Sequence, residues 1–310
     1  MPILDVQQLQ KSYGVLRAVD EVSFSINVGE IFGLLGPNGA GKSTTINIIA
    51  TTLEADGGAV SVSGVPISRS TEYKRKIGYV PQEISLADRL TARENLHFLG
   101  RLYDLGGPLL RTRTNQALAD VGLSDRADHL VKTFSGGMKR RLNIAAALLH
   151  DPDLILMDEP TAGVDPQARA YIFEVVEKLA AGGKAILYTT HYMEEAQRLC
   201  RRTAIIDHGK ILAMGTLDEL VRATNKKVAL IVDALDMTPA AAEKLAAALG
   251  DVAWTVKETA AHLTVPQGEQ VLLKAAKAAE TLGLHPTALR LAEPNLEDVF
   301  LELTGRALRD

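Results

Sequence analysis

The sequence predicts an α/β main domain built on a parallel sheet, with an antiparallel β subdomain and a helical insert, followed by a small α+β domain of ferredoxin-like type. Three observations carry this prediction: short apolar strands that alternate with helical patterns, a stretch at about 84–150 that lacks strand character, and alanine-rich sequence beyond Asn225. Because 310 residues exceed the usual size of one domain, we expect a first domain at 1–224 and a second at 225–310.

Composition excludes several classes of protein. The apolar fraction of 46% is that of a folded globular chain, and the net charge of −4 gives no overall cationic field for nucleic acid. One cysteine cannot form an internal disulfide, which favours a reducing compartment. No signal peptide is visible, and the apolar runs fall short of the roughly 18 residues that span a bilayer. We therefore expect any membrane role to come through a partner.

The first elements combine an antiparallel cap with a strand–loop–helix unit. Apolar and polar residues alternate from Leu4 to Leu9 and again around Val22–Ile26, as in half-buried strands. Ile31–Leu35 then reads as a buried strand that runs into glycines, and a helical pattern follows from Thr44 to Ala50.

Strands resume after the helical insert and alternate with helices. Asp165-Pro166 has the N-cap and first-position proline of a helix start, and Gly182-Gly183 closes that helix. The remaining predicted elements are a strand at Leu154–Met157, a strand at Ala185–Thr190, a helix at about Tyr192–Arg202, a hairpin of Ile205–Asp207 with Ile211–Met214, and a helix near Leu217–Arg222 that ends the first domain.

Beyond Asn225 the pattern reads strand, helix, strand, strand, helix, strand, helix. The last helix is predicted at Asn295–Leu303. We expect it to pack through four apolar residues, which are Leu296, Val299, Phe300 and Leu303.

A glycine-rich loop between the Ile31–Leu35 strand and the next helix fits G-x-x-x-x-G-K-[ST]. Its glycines let successive N–H groups and the helix N-terminus face phosphates, Lys42 adds a cation, and Ser43 offers a hydroxyl to Mg²⁺. The loop predicts nucleotide binding but by itself does not distinguish ATPases from GTPases or kinases. The candidate binding residues are Gly36, Pro37, Asn38, Gly39, Ala40, Gly41, Lys42, Ser43 and Thr44.

Two acids end the apolar Leu154–Met157 strand, at the edge of the sheet where ligands collect. We assign Asp158 to the Mg²⁺ shell and Glu159 to the attacking water as general base. Two solvated strand-end acids are the alternative interpretation.

With these motifs in place, the chain resembles the ABC-type nucleotide-binding domains of the P-loop NTPases over about Leu4 to Leu220. The segment Phe134–Met138 corresponds to the signature sequence of that family. The resemblance implies that Ser135, Gly136 and Gly137 contact the γ-phosphate of ATP across a dimer.

The signature departs from the family consensus at its first and last residues, where Phe134 replaces leucine and Met138 replaces glutamine. Methionine followed by Lys139-Arg140-Arg141-Leu142 is typical, in this resemblance, of ATPases that serve ABC-2-type exporters. Lys139 and Arg140 are individually also compatible with a solvated helix face.

Four further residues match the family by position. Gln82 resembles the Q-loop residue that touches the metal–water shell, and Asp165 resembles the D-loop aspartate, although it could also simply cap a helix. His191 matches the switch histidine beside the γ-phosphate. Tyr13 resembles the aromatic residue that stacks on adenine, an ordinary strand-edge tyrosine being the alternative.

The resemblance implies an ATP-hydrolysing subunit on the cytoplasmic face of the membrane, peripheral to it. Two copies, or this chain and a paralogous ATPase subunit, would enclose two Mg²⁺–ATP and drive a separate transmembrane permease of ABC-2 type. The ending Ala292–Phe300 looks like that of drug- and antibiotic-export ATPases, which favours export.

Two other functions fit the sequence less well. A soluble ATPase of the same family acting on ribosomes or nucleic acid would usually carry two ATPase domains or long coiled coils, whereas this chain has one uninterrupted motif set. A non-hydrolysing regulatory subunit is disfavoured by the intact Lys42, Asp158, Glu159 and His191.

Overall fold

The computed structural model describes residues 2–67, 71–223, 227–250, 252–257, 259–266, 270–292 and 295–304. Its internal contacts divide the chain into two units, the first through Thr216 and the second from Leu217 onward. The helix near Leu217–Arg222, which the sequence analysis placed at the end of the first domain, therefore belongs with the second unit.

The first unit contains a helical insert between two groups of strands. Its strands are β1 (Leu4–Tyr13), β2 (Leu16–Ile26), β3 (Ile31–Leu35), β4 (Gly57–Val62), β5 (Val65–Pro66), β6 (Ile77–Val80), β7 (Leu154–Asp158), β8 (Ala185–Thr190), β9 (Arg202–Asp207) and β10 (Lys210–Gly215). Its helices are α1 (Lys42–Ile49), α2 (Thr71–Arg75), α3 (Ala92–Leu102), α4 (Gly107–Asp120), α5 (Gly136–Leu148), α6 (Pro166–Ala181) and α7 (Met193–Leu199), with 3₁₀ turns at Ser124–Arg126 and Val131–Thr133.

A six-stranded central sheet has the order β10-β9-β3-β8-β7-β6. Its pairs are parallel except for the β9–β10 hairpin, and every residue of β3, β7 and β8 is buried. Fully buried parallel strands read as continuous apolar runs, which explains why these strands were visible in the sequence. The register sets Asp158 opposite Thr189 at the carboxyl edge of the sheet.

The predicted antiparallel cap is confirmed as a four-stranded sheet with the order β2-β1-β4-β5. Leu4, Val6 and Leu9 of β1 are buried, and the alternation shifts by one residue at an irregularity between Val6 and Leu9. Phe24 of β2 stacks on Phe32 of β3 with ring centroids 5.1 Å apart, so the cap and the central sheet share one apolar core.

The helical insert is also confirmed, with α3, α4 and α5 filling most of the predicted range. Thr91 begins α3 with a capping box: its hydroxyl accepts from the Glu94 amide, and the Glu94 carboxylate accepts from the Thr91 amide.

The second unit has a core of its own, built on an antiparallel sheet with the order β12-β13-β11-β14. This is the strand order of a βαββαβ ferredoxin-like unit. Its elements are α8 (Leu217–Ala223), β11 (Lys227–Ala234), α9 (Pro239–Ala248), β12 (Trp254–Lys257), β13 (Ala260–Pro266), α10 (Val271–Thr281), β14 (Pro286–Ala292) and α11 (Leu296–Thr304).

Helix α11 begins one residue later than predicted, and three of its four expected packing residues are buried, namely Leu296, Val299 and Phe300. The prediction was wrong for Leu303, which is 37% exposed because it lies one turn further along, near the end of the helix. In the part of the chain that the structure describes, no helix has the length and hydropathy needed to cross a bilayer.

Candidate functional site

The glycine-rich loop joins β3 to α1, and α1 begins at Lys42, two residues earlier than predicted. Gly41 precedes the helix with φ of 106°, and a Cβ on it would collide with the carbonyl oxygen of Ala18. No side chain of the described residues caps α1. The N–H groups of the first helical turn have no acceptors within the helix, and the positive end of the helix dipole lies there, so this end of α1 favours an anion.

Lys42 lies in the loop with its side chain only 4% exposed. Its Nζ donates to the carbonyl oxygens of Gly36 (2.8 Å) and Pro37 (3.1 Å), and it lies 3.2 Å from Oε1 of Glu159. Burial lowers the pKa of the Lys42 ammonium, an effect that the neighbouring Glu159 and Asp158 carboxylates oppose. The cation is held at the centre of the loop by groups that a phosphate could replace as partners.

Asp158 ends β7 beside the start of α1. Its Oδ1 accepts from the hydroxyl of Thr189 at 2.7 Å and from that of Ser43 at 3.2 Å. Burial raises the pKa of the Asp158 carboxyl, although both hydroxyls act in the opposite direction. Two oxygens of the kind that bind Mg²⁺, one from the loop helix and one from the strand end, are thus brought together.

Glu159 follows Asp158 in a left-handed conformation with φ of 44°. Successive strand residues point to opposite faces, so a turn at Glu159 is needed to bring both carboxylates to one pocket. The Glu159 amide donates to the Thr189 hydroxyl at 3.0 Å, which holds the turn in place. Oε2 of Glu159 lies 3.1 Å from Nδ1 of His191, outside hydrogen-bond alignment.

Lys42, Ser43 and Glu159 border a pocket of about 280 Å³, whereas Asp158 and His191 are not among the described residues that line it. Gln82 lines it, and so does Tyr13, whose side chain at 51% exposure leaves a ring face open to solvent. The other lining residues are Leu16, Ala18, Asn38, Gly39, Gly41 and Thr44.

The donor set of this pocket fits a magnesium–nucleotide complex. Amides and Lys42 suit the phosphates, and an open aromatic face suits a base. No group of three or more His, Cys, Asp or Glu side chains that could hold a metal occurs among the described residues. Mg²⁺ commonly binds through one or two protein oxygens together with phosphates, and Ser43 and Asp158 supply that number.

Ser135 is the N-cap of α5, where its Oγ accepts from the Met138 amide at 3.3 Å. Ser135 and Gly136 are exposed, and Gly137 is buried where a Cβ would collide with Cβ of Ala168. None of the three is among the described residues that line the pocket. The structure therefore does not bring the signature to the loop of its own chain.

Asp165 is exposed and caps α6, its Oδ1 accepting from the Ala168 amide at 3.0 Å. The helix-capping role that the sequence allowed is therefore present, with Pro166 at the first helical position.

Two features of the site were not predicted from the sequence: Thr189 and a hydrogen-bond network around Glu195. The buried Glu195 carboxylate accepts from the hydroxyls of Thr161, Tyr188 and Thr190 at 2.7–3.0 Å. The threonines that end Ala185–Thr190, the predicted strand that follows that of Asp158 along the chain, were a signal for Thr189. No sequence pattern singled out Glu195.

Arg140 corrects the interpretation of the basic run as a solvated face. It is 4% exposed, and its guanidinium donates to the carbonyl oxygens of Pro81 and Gln82. Lys139, in contrast, is partly exposed and pairs with Asp88 at 2.7 Å.

Residues 19–162 match the family model described as ABC transporter. Over 99% of its length the chain is 43% identical to a linearmycin resistance ATP-binding protein of Bacillus subtilis (strain 168), covering 100% of that relative. It is 40% identical, over 100% of its length and 96% of the relative, to a Nod factor export ATP-binding protein of Ralstonia nicotianae.

Two solved structures give the same result. An ATP-binding subunit of an ABC transporter superposes with a TM-score of 0.65 at 34% identity, covering 71% of this chain and 92% of the other. A dimeric ATP-binding cassette in a post-hydrolysis state with ADP and Pi superposes with a TM-score of 0.62 at 28% identity, covering 69% and 98%.

Proposed function

Since the chain belongs to the ABC transporter family as an ATP-binding subunit with ATPase activity, we propose that it powers the export of a substrate through a separate ABC-2-type permease. It would act at the cytoplasmic face of the membrane without crossing it. The relatives named for linearmycin resistance and Nod factor export, which the chain covers to 100% and 96% of their length, support export over a role on ribosomes or nucleic acid. The separate permease would bind the transported substrate, so the substrate of neither relative is assigned to this chain.

One observation carries the hydrolytic part of the proposal. The Glu159 carboxylate lies between Nζ of Lys42 at 3.2 Å and Nδ1 of His191 at 3.1 Å, at the edge of the pocket. A carboxylate, a cation and an imidazole that converge on one point are the groups that activate a water next to a phosphoryl group.

Each residue then has a defined task. The loop amides and Lys42 bind and orient the triphosphate, and the Tyr13 ring packs on the base. Glu159 accepts the proton of the attacking water while His191 holds the carboxylate and the γ-phosphate in register. Ser43 and Asp158 would hold Mg²⁺, with Gln82 beside its water shell, and the ion would supply positive charge against the phosphates.

The exposed signature supports a dimer. Ser135, Gly136 and Gly137 do not line the pocket of their own chain, so in a head-to-tail dimer they would contact the nucleotide bound to the other subunit. One related cassette is a dimer. Two copies, or this chain with a paralogous ATPase subunit, would enclose two ATP molecules, with Asp165 near the junction. Loss of the γ-phosphate would loosen the pair and reset the permease.

Hydrolysis by two variants tests the proposal. Glu159→Gln should bind Mg²⁺–ATP and dimerise but lose at least about 100-fold in kcat, because the general base is gone. Lys42→Ala should lose nucleotide affinity itself, and Lys74→Ala, a change of an exposed lysine on α2, should leave both unchanged.

Near-normal turnover by Glu159→Gln, or a magnesium–ATP complex of that variant that stays monomeric, would contradict the proposal. The transport role is tested by purifying the chain from membranes, where we expect a protein with several membrane spans to co-purify with it. Co-purification of ribosomes or DNA would support the alternative function.

A further inference from the structure

A contact between α5 and the loop that carries Gln82 stands outside the roles assigned above. Nη1 of Arg140 donates to the carbonyl oxygen of Pro81 at 2.8 Å, and Nη2 donates to that of Gln82 at 2.6 Å. One planar guanidinium therefore holds two successive carbonyl groups, a geometry that fixes orientation as well as distance.

Asn143 continues this contact along the same face of α5, three residues after Arg140. Its Nδ2 donates to the carbonyl oxygen of Glu83 and its Oδ1 accepts from the Ser85 amide, both at 3.4 Å. These two bonds are long, so the short, charge-assisted bonds of Arg140 dominate the attachment.

The attachment fixes the backbone of Gln82 and leaves its side chain free to face the pocket. Gln82 is exposed, and it lines the pocket together with Lys42, Ser43 and Glu159. Because Arg140 is only 4% exposed, its guanidinium has lost most of its water, and its Nε already has no hydrogen-bond partner among the described residues. Releasing the two carbonyls would leave the rest of a buried cation without hydrogen bonds as well. The bonds are therefore expected to persist when the pocket changes its contents.

The same helix begins at the signature. Ser135 is the N-cap of α5, and Arg140 lies five residues later, about 7.5 Å along the helix axis. Helix α5 therefore carries both the signature, which is proposed to contact the nucleotide of the other subunit, and Arg140, which holds the backbone of Gln82 at the nucleotide pocket of its own chain.

We propose that Arg140 is a positioning residue that places Gln82 at the pocket and makes the positions of Gln82 and of the signature on α5 depend on each other. This inference rests on the proposed function, because it assigns Arg140 a part in ATP turnover. It predicts that Arg140 influences turnover through Gln82.

Arg141 provides a matched control on the same helix. Its Nη1 donates to the carbonyl oxygens of Val121 (3.0 Å) and Gly122 (3.3 Å), and its guanidinium packs on the ring of Tyr171. Loss of Arg141 removes comparable bonds to backbone carbonyls without touching the Gln82 loop.

The test is a double-mutant cycle of Arg140→Met with Gln82→Ala, repeated with Arg141→Met in place of Arg140→Met. Arg140→Met should lower kcat about tenfold or more while KM changes less than about threefold, because the triphosphate contacts are intact. In the Gln82→Ala background, which should itself lose at least as much kcat, the further loss should stay below about twofold.

Arg140→Lys keeps the charge but cannot hold both carbonyls in a planar fork, so its kcat should be intermediate. It also carries the test if Arg140→Met does not fold. Arg141→Met should lower thermal stability, keep kcat within about twofold, and show no coupling to Gln82→Ala.

Three outcomes would overturn the inference: wild-type kcat in folded Arg140→Met or Arg140→Lys, a full additional loss in the Gln82→Ala background, or a harmless Gln82→Ala beside a damaging Arg140→Met. These outcomes presuppose a hydrolysing wild type. Failure of the proposed function gives a different pattern, in which the wild type hydrolyses no ATP or Glu159→Gln hydrolyses it normally.

Discussion

The hydroxyl of Thr189 connects the two acids of the candidate site. It donates to Oδ1 of Asp158 at 2.7 Å and accepts from the Glu159 amide at 3.0 Å. A single oxygen thereby orients the carboxylate assigned to Mg²⁺ and stabilises the left-handed turn that aims Glu159 at the pocket.

Thr189→Val should therefore lower turnover, which depends on the positions of the two acids, without weakening ATP binding. Valine has nearly the shape of threonine but lacks the hydroxyl, so Oδ1 of Asp158 keeps only the Ser43 hydroxyl and the Glu159 amide keeps only the Thr189 carbonyl oxygen, both at 3.2 Å. We expect kcat to fall about 10- to 100-fold and the free energy of unfolding to fall by about 1–3 kcal/mol, with ATP affinity largely kept. Steady-state kinetics and urea unfolding measure both.

Thr114→Val is the matched control, since the Thr114 hydroxyl is buried and has no hydrogen-bond partner among the residues that the structure describes. Its removal should leave kcat unchanged and should not lower stability. Equal kcat in wild type and Thr189→Val would show that the acids are held without the hydroxyl.

At the scale of elements, His150 connects the helical insert to the central sheet. Its Nε2 donates to the carbonyl oxygen of Ile77 at the start of β6 (2.8 Å), and its ring stacks on Tyr103, just after α3, at 3.8 Å between centroids. Burial lowers the pKa of His150, and Lys184 adds to this effect, whereas the Ile77 carbonyl and Asp151 oppose it.

Stability should consequently depend on pH at this junction. Below the unfolded value of about 6.5 the unfolded chain binds a proton at His150 that the folded chain does not, so stability falls as pH drops through that region. The contribution is at most about 1.4 kcal/mol per pH unit.

Urea unfolding at pH 7.5 and 5.5 checks this. His150→Gln should lose less stability between the two pH values than the wild type, and His208→Gln, which changes an exposed imidazole, should behave as the wild type does. The same pH dependence in His150→Gln and wild type would contradict the assignment.

At the scale of the whole molecule, the chain has separate cores. The clusters that build the first unit contain only residues before Thr216, and the cluster of the second unit lies within β11–β14 and their helices. The single tryptophan, Trp254 on β12, packs against the second core. Its fluorescence therefore follows the unfolding of the second unit alone.

Mg²⁺–ATP should shift the unfolding of the first unit but not the Trp254 transition. Ligand at about 100 times its Kd adds about 2.7 kcal/mol to the unit that binds it. Calorimetry and tryptophan fluorescence, recorded with and without nucleotide, measure the two transitions, with Lys42→Ala as the non-binding control. An equal shift of both transitions would show that the units unfold together.

The features that the sequence predicts are those formed by residues close together along the chain. The glycine-rich loop, Asp158-Glu159 and the buried strands are short-range patterns whose chemistry is written in adjacent residues. Helix ends were predicted less accurately, because the first and last turns depend on packing: α1 starts at Lys42 rather than Thr44, and Leu303 near the end of α11 remains exposed.

The amino-acid order alone determined the fold class, the phosphate loop, the paired acids and the order of motifs that identifies the family. Only the tertiary structure decided that Thr189 bridges the acids across 31 positions and that Arg140 clamps Gln82 across 58. The reason is physical: whether a threonine or an arginine is a solvated side chain or a buried hydrogen-bond donor depends on which strand or loop packs against it, and chain folding sets that neighbour.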